Sequence, residues 1–411
     1  FIVVDNNNSL INRRFPTDVY LRDNVGDDGT VPSTGTISIS PDIILRPNKV
    51  VDGTISFGEG SGTENSSTLG YEVEFGQDNY IYVRVKNRGL EDTTDVTTDV
   101  YWSEVSTLVT PDDWHYIGTT DPVDVPKGDS LVVTEPITWA SSDIPAEGHY
   151  CLVGITGNTS DPKTLTQTQV ANFIASGMTW EEFDYLIRGY NNVTWRNFNV
   201  IDVLPNFTLP LGPYKFKFKG AWDKERYFDI LIRPLGEIIW KIPIVDEFYV
   251  NLIEQLNKQD VYYVISKRTI SITIKRDLLI KNLKFLQNAS YESELWVNSS
   301  DPINKNFFVS QIYKFPSGDT RNPNKVESRE VGRVTWRHVD NDDDDNCLLE
   351  PNSICLIGNK VMYHFVKDIS SFQFKVNGSI VRGKQQEGDA VDSNFSINID
   401  NNMVYAMGEV I

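Results

Sequence analysis

Hydrophobic and polar residues alternate with a period of two along many short runs of this chain, the spacing at which a pleated strand buries one face and wets the other. Ile81, Val83 and Val85 alternate with Tyr82, Arg84 and Lys86, and Val96, Thr98, Val100 and Trp102 alternate with Thr97, Asp99, Tyr101 and Ser103. Residues 131–134, 151–155 and 195–203 repeat the theme, with Gly, Pro and Asp between the runs. This is the pattern of a two-sheet antiparallel sandwich, so an immunoglobulin-like β-sandwich is expected over residues 41–205. Residues 1–40, rich in Asn, Asp, Gly, Ser and Thr, read as an extended arm or loop.

A second sandwich is expected over residues 206–339, after a Pro-bounded linker at 205–213. It opens on Tyr214, Phe216 and Phe218 alternating with Lys215, Lys217 and Lys219, a strand with a cationic outer face. Further strands are expected near 228–232, 261–265, 270–274, 294–297, 307–313 and 332–339. Two short helices interrupt the pattern. Thr179-Trp180-Glu181-Glu182 has the form of a capping box, with Gly189 placed to stop the helix it starts. Within 246–259, Phe248, Leu252 and Leu256 share one helical face. The acidic run from Asp340 to Asp345 cannot pack and marks a boundary, leaving 340–411 as an acidic loop and a small β-segment. The fold class expected is therefore all-β: tandem immunoglobulin-like antiparallel sandwiches with one or two short helices.

A length of 411 residues fits two or three domains at roughly 150 residues each. The apolar share of 40% and aromatic share of 11% are those of a folded chain. A net charge of -19 repels phosphate backbones and anionic lipid surfaces, so neither nucleic acid nor membrane is an expected partner. No apolar run approaches the roughly 18 residues of a membrane span. The chain begins at Phe1 rather than Met, as a removed leader or a piece of a longer chain would each explain.

Several motifs resemble a known module. They include Asp18-Val19-Tyr20-Leu21-Arg22-Asp23, Ser40-Pro41-Asp42-Ile43-Ile44-Leu45-Arg46, Tyr80-Ile81-Tyr82-Val83-Arg84-Val85, Tyr101-Trp102-Ser103, Gly148-His149-Tyr150-Cys151 and Val193-Thr194-Trp195-Arg196-Asn197-Phe198. In order and spacing these are similar to the CARDB-type bacterial immunoglobulin-like domains of large secreted and surface proteins, over about residues 16–205. The resemblance implies a contact module on an exported protein. It specifies neither a ligand nor a catalytic residue.

No catalytic motif is found: there is no Gly-x-Ser-x-Gly elbow, no phosphate-cradling Gly-Lys-Ser/Thr loop and no His-Glu-x-x-His helix. His115, His149, His338 and His364 are isolated and read as structural. The candidate cofactor is Ca²⁺, for which two carboxylate-rich loops offer hard oxygen ligands, through Asp23, Asp27 and Asp28 and through Asp340, Asp342 and Asp344. A merely solvated acidic loop is the alternative for each. Tyr80, Tyr82 and Tyr101 fall on the parity opposite the core positions, forming either a contact face for protein or sugar or a surface that a loop covers. Cys347 and Cys355 bracket a short loop and could pair, while Cys151 lies in an apolar run. Sequons at Asn65, Asn158, Asn192, Asn206, Asn288, Asn298, Asn377 and Asn394 permit glycosylation.

The function expected is that of a non-catalytic extracellular structural or adhesive protein, a subunit of a surface or filamentous assembly whose partners are proteins or copies of itself. The alternative is an accessory carbohydrate- or protein-binding module of an exported hydrolase.

Overall fold

The computed structural model describes residues 15–146, 148–203, 209–299, 305–316 and 325–340, and five further strands between 353 and 407 as backbone. It divides into a large unit, Phe1–Asn341, and a small one, Asp342–Ile411. The large unit holds four five-stranded sheets, forming two β-sandwiches.

In the first sandwich one sheet joins Val19–Tyr20, Asn79–Asn87 and Ile43–Arg46, with Val132–Val133 and Ile137–Trp139 also paired to the long strand. The other runs Val193–Arg196, Tyr150–Gly157, Thr93–Glu104 and His115–Thr119, with Val123–Val125 at its side. Val83, Val85, Val96, Val100, Leu152 and Trp139 meet between them, as the period-two pattern requires. Every ladder in this sandwich is antiparallel.

The outer face of the second sheet is also buried. Helices Gln167–Ala171, Phe173–Ser176 and Trp180–Gly189 cover it, so Tyr101, Trp114, Val153 and Trp195 belong to a second core that continues into the other sandwich. Helix Trp180–Gly189 begins as expected: the Thr179 hydroxyl accepts from Glu182 N–H while the Glu182 carboxylate accepts from Thr179 N–H. The two shorter helices carry too few apolar residues for periodicity to reveal them.

The second sandwich packs the sheet Phe198–Val203, Val326–Asp340, Asn306–Pro316, Arg226–Arg233, Leu278–Phe285 against the sheet Leu211–Lys219, Ser290–Asn298, Glu237–Pro243, Thr269–Ile274, Tyr263–Ser266. Helix Tyr249–Lys258 is the second one expected, burying Leu252 and Leu256. One ladder is parallel, Phe198–Val203 on Val326–Asp340.

Two sequence boundaries shift. Residues 15–40 are not a free arm. Val19 and Tyr20 pair with Asn87 and Lys86, and Val19, Tyr20 and Leu21 are almost wholly buried. The expected single strand at 195–203 is two strands in different sandwiches, with the junction at Asn197 rather than near 205. There the Asn197 N–H donates to Ser38 and its side-chain amide donates to the Ser106 and Arg333 carbonyls, at 2.8, 2.9 and 2.8 Å. A single buried side chain thus bonds residues from both sandwiches.

The sandwiches also meet edge to edge. Thr107 N–H donates to the Lys217 carbonyl and Lys217 N–H to that of Val105, each at 2.9 Å, continuing the Leu211–Lys219 ladder into the first sandwich. Two lysines of the expected cationic outer face therefore lie at an internal interface, Lys217 on Glu104 and Lys219 on Asp112 and Asp113, while Lys215 is exposed. Arg329 pairs with Asp184 of the capping helix on the far side.

In the small unit, Ser353–Ile357 pairs with Lys360–His364, and Ser371–Lys375 and Ser396–Asp400 flank Met403–Met407, all antiparallel. The strands expected at 371–376 and 395–399 are both present. Asp342, Asp344, Cys347 and the proposed Cys347–Cys355 bond lie outside the described residues, as do the side chain of Asp340 and the sequons at Asn206, Asn377 and Asn394.

Candidate functional site

The first sandwich carries an unusual number of buried cations. Arg84 has no exposed surface; its guanidinium donates to the carbonyls of Thr63 at 3.0 Å and Glu64 at 3.3 Å and to the Thr63 hydroxyl at 3.1 Å. Arg196 donates to the carbonyls of Ser40 and Ser67 at 2.8 and 2.9 Å. Arg22 is paired with Asp42 at 2.6 Å, and both are buried. Burial lowers the pKa of Arg84 and of Arg196 to about 10, which leaves both charged at neutral pH. Residues 63–67 are irregular, and these guanidiniums supply the donors that their carbonyls lack from a strand or helix partner.

The loop at 23–28 shows the same economy. Asp23 Oδ1 accepts from the Thr194 hydroxyl at 2.8 Å; Asp27 accepts from Asp23 N–H and Gly29 N–H, both at 2.9 Å; Asp28 accepts from Thr30 N–H at 3.0 Å. Burial, together with the neighbouring Asp27, pushes the Asp23 carboxyl well above its usual range. A cation there would have the opposite requirement. Among the described residues no group of three or more His, Cys, Asp or Glu side chains is placed to hold a metal ion. The carboxylates of the calcium expectation are already engaged within the chain: Asp23 by the Thr194 hydroxyl, Asp27 and Asp28 by backbone amides.

Of the two readings of the tyrosine stripe, the covered surface is the one found at Tyr82 and Tyr101. Tyr82 is 1% exposed; its hydroxyl accepts from Val50 N–H at 2.8 Å, and its ring meets Phe57 edge-on at 5.1 Å. Tyr101 is 2% exposed against Trp114 and Tyr116. Tyr80 is half-buried. Period-two alternation assigns parity, and here residues 50–57 and the helices cover the second face. Cys151 is a buried free thiol whose pKa is raised by that burial. Of the histidines, His115 stacks on Trp102 at 4.2 Å and His338 Nε2 bonds the Tyr214 hydroxyl at 2.8 Å.

What remains exposed is more informative. Leu278–Phe285 is an edge strand, and helix Tyr249–Lys258 blunts it. Asn251 donates to the Asn282 carbonyl at 2.8 Å, Gln255 donates to and accepts from Lys281 at 2.7 Å, and Gln259 donates to the Leu279 carbonyl at 3.1 Å. Leu211–Lys219 is blunted by the first sandwich. Tyr263–Ser266, the last strand of its sheet, pairs on one side only and has no such cover among the described residues. Tyr262, Val264 and Ile265 there are 69, 46 and 47% exposed. Because Tyr262 accepts from Thr273 N–H inside the sheet, the alternation of an antiparallel ladder turns the N–H and C=O of Tyr263 and Ile265 outward. This sheet edge was not singled out from the sequence, because the run Val261–Ile265 reads as any strand until its neighbours are known.

A second surface feature is a cleft of about 440 Å³ beside helix Trp180–Gly189, lined by Leu165, Gln169, Glu181, Tyr185 and Tyr190 among others. Tyr185 and Tyr190 are 56 and 41% exposed.

No protein-family model matches this chain, and no curated protein matches it in sequence. Among solved structures, that of CBD12 from CALX1.2 is similar at 10% identity, covering 59% of this chain and 78% of that one, with a TM-score of 0.12, too low to carry an argument. The all-β sandwich assignment rests on the sheets themselves. No helix among the described residues is long and apolar enough to cross a membrane, which says nothing of strands.

Proposed function

We propose that this chain is a non-catalytic extracellular structural or adhesive subunit, of the CARDB-like kind, that assembles with copies of itself by strand addition at Tyr263–Ser266. The carrying observation is the contrast between the edges: one is capped by three amide side chains and another by the first sandwich, while this one presents apolar side chains and outward backbone groups. Charge favours a second copy as the occupant. Asp260 precedes the strand and Lys267 and Arg268 follow it, so antiparallel pairing across a two-fold axis sets each acid opposite the partner's bases. Ile265→Pro removes an outward N–H and leaves the internal ladder intact. Light scattering across a concentration series tests the reading: self-association in the wild type that Ile265→Pro weakens at least tenfold supports it, and a wild type that stays monomeric at all concentrations refutes it.

A second reading, an accessory carbohydrate-binding module of an exported hydrolase, is favoured by the Tyr185–Tyr190 cleft, where exposed rings stand beside Gln169 and Glu181. A glycan array on which the wild type binds and Tyr185→Ala does not would shift the balance to it.

A further inference from the structure

Lys219 ends the strand Leu211–Lys219, and its side chain is only 6% exposed. Its Nζ reaches across to the first sandwich and meets two adjacent carboxylates on the turn Pro111–Asp113: Oδ2 of Asp113 in direct contact, and Oδ2 of Asp112 at 3.2 Å. The Thr110 hydroxyl lies 3.4 Å away. Asp112 Oδ1 is buried without a hydrogen-bond partner.

A second partly buried amine–carboxylate pair in the molecule is a useful contrast. Lys163 Nζ lies 2.8 Å from Asp99 Oδ1, and that oxygen also accepts from the Thr119 hydroxyl at 2.6 Å and Gln167 Nε2 at 3.0 Å. That carboxylate oxygen therefore has neutral donors as well as the amine, which the Lys219 cluster does not offer its free oxygen. At Lys219 one ammonium, itself 6% exposed, faces two carboxylates, and one carboxylate oxygen has no donor. An amine attacks a carbonyl carbon only after giving up a proton, and two carboxylates in reach of Nζ are placed to accept one. Burial raises the Asp113 pKa against the pull of Lys219, in keeping with Asp113 as the acid that takes the proton.

We propose that Lys219 and Asp113 condense to an amide that covalently joins the two sandwiches, with Asp112 as the proton carrier. Nζ attacks Cγ of Asp113 and the N–C bond forms. One Cγ–O bond breaks, and that oxygen leaves as water with the two protons given up by the ammonium, one of them relayed by Asp112. Ammonium plus carboxylate becomes amide plus water, with no oxidant, reductant or cofactor required. Holding the reactants in contact supplies an effective concentration that free amine and acid lack in solution. Asp113, the more exposed of the two carboxylates at 36%, leaves a path for the water to escape. The bond would fasten the sandwiches where the first continues the edge of the second, a covalent staple in addition to the Asn197 bonds.

The test is the intact mass and peptide map of the full chain made in a bacterial host. The expected mass is one water below that of the sequence, with a branched peptide joining Lys219 to Asp113. Lys219→Arg and Asp113→Ala should each restore the linear mass, and Asp112→Asn should slow or abolish the loss while leaving the fold unchanged. A wild-type map in which Lys219 and Asp113 both fall in linear peptides overturns the proposal, whether or not the variants fold. Water lost as a succinimide at Asp28-Gly29 or Asp52-Gly53 leaves only linear peptides and counts against it as well.

Discussion

The backbone of Gly332 runs directly under the Thr107 carbonyl oxygen, so close that a methyl group on Gly332 would overlap that oxygen and crowd its carbonyl carbon. Gly332 belongs to strand Val326–Asp340 of the second sandwich, and Thr107 belongs to the segment of the first that continues the neighbouring sheet. Main chain meets main chain here, so neither side can yield by a rotamer change. Gly332→Ala is expected to cost about 1–3 kcal/mol through overpacking, read as a lower urea midpoint at unchanged slope. The same loss should appear in probes of both sandwiches, since the interface belongs to both.

Asn197→Ala removes the donor shared by Ser106 and Arg333 from a position only 2% exposed. A cost of about 2–6 kcal/mol is expected, at roughly 1–3 for each of the two carbonyls left unpaired. Separate melting transitions for the two sandwiches in this variant, and a single one in the wild type, would identify Asn197 as the coupling residue. Calorimetry reads both.

Much of this was legible in the chain. The β class, the alternating cores around Val83 and Phe216, the capping box at Thr179 and the helix carrying Leu252 and Leu256 all follow from local periodicity and end signals. The junction at Asn197 was not, because residues 195–203 alternate without a break and the change of sheet is decided by partners far along the sequence. The tyrosine stripe stayed undecided for a related reason: alternation assigns a parity but does not say what covers the second face. Composition at the acidic loop 23–28 could not show that a hydroxyl and backbone amides already bond its carboxylates.

Asp161 provides a pH test. Its carboxylate accepts from Val19 N–H at 2.7 Å, yet burial raises its pKa to about 6 from 3.8. Stability drawn from the neutral carboxyl is fully present below about pH 3.8 and is lost as the pH rises through about 6. Asp161→Asn keeps an acceptor and cannot ionise, so it should raise stability by on the order of 1–3 kcal/mol near pH 8 and change it little near pH 4. Urea midpoints at the two pH values decide it.

Glycosylation should follow side-chain engagement rather than sequon count. Asn192 is 5% exposed and donates to the Pro162 carbonyl at 3.0 Å; Asn158 donates to Thr93 Oγ1 and the Thr94 carbonyl, both at 2.7 Å. Asn65 and Asn288 are exposed. In a eukaryotic secretory host, glycopeptide mapping is expected to find glycan at Asn65 and Asn288 and none at Asn192, with Asn158 at most sparsely modified.

The central claim is that these layered sheets exist to make contact, with Tyr263–Ser266 left open for another copy. Direct electron-microscopic imaging of native purified material tests it most directly. The account predicts particles that pair or chain through the end of the second sandwich bearing that strand. Uniformly single particles at every concentration, with that strand facing solvent, would contradict it.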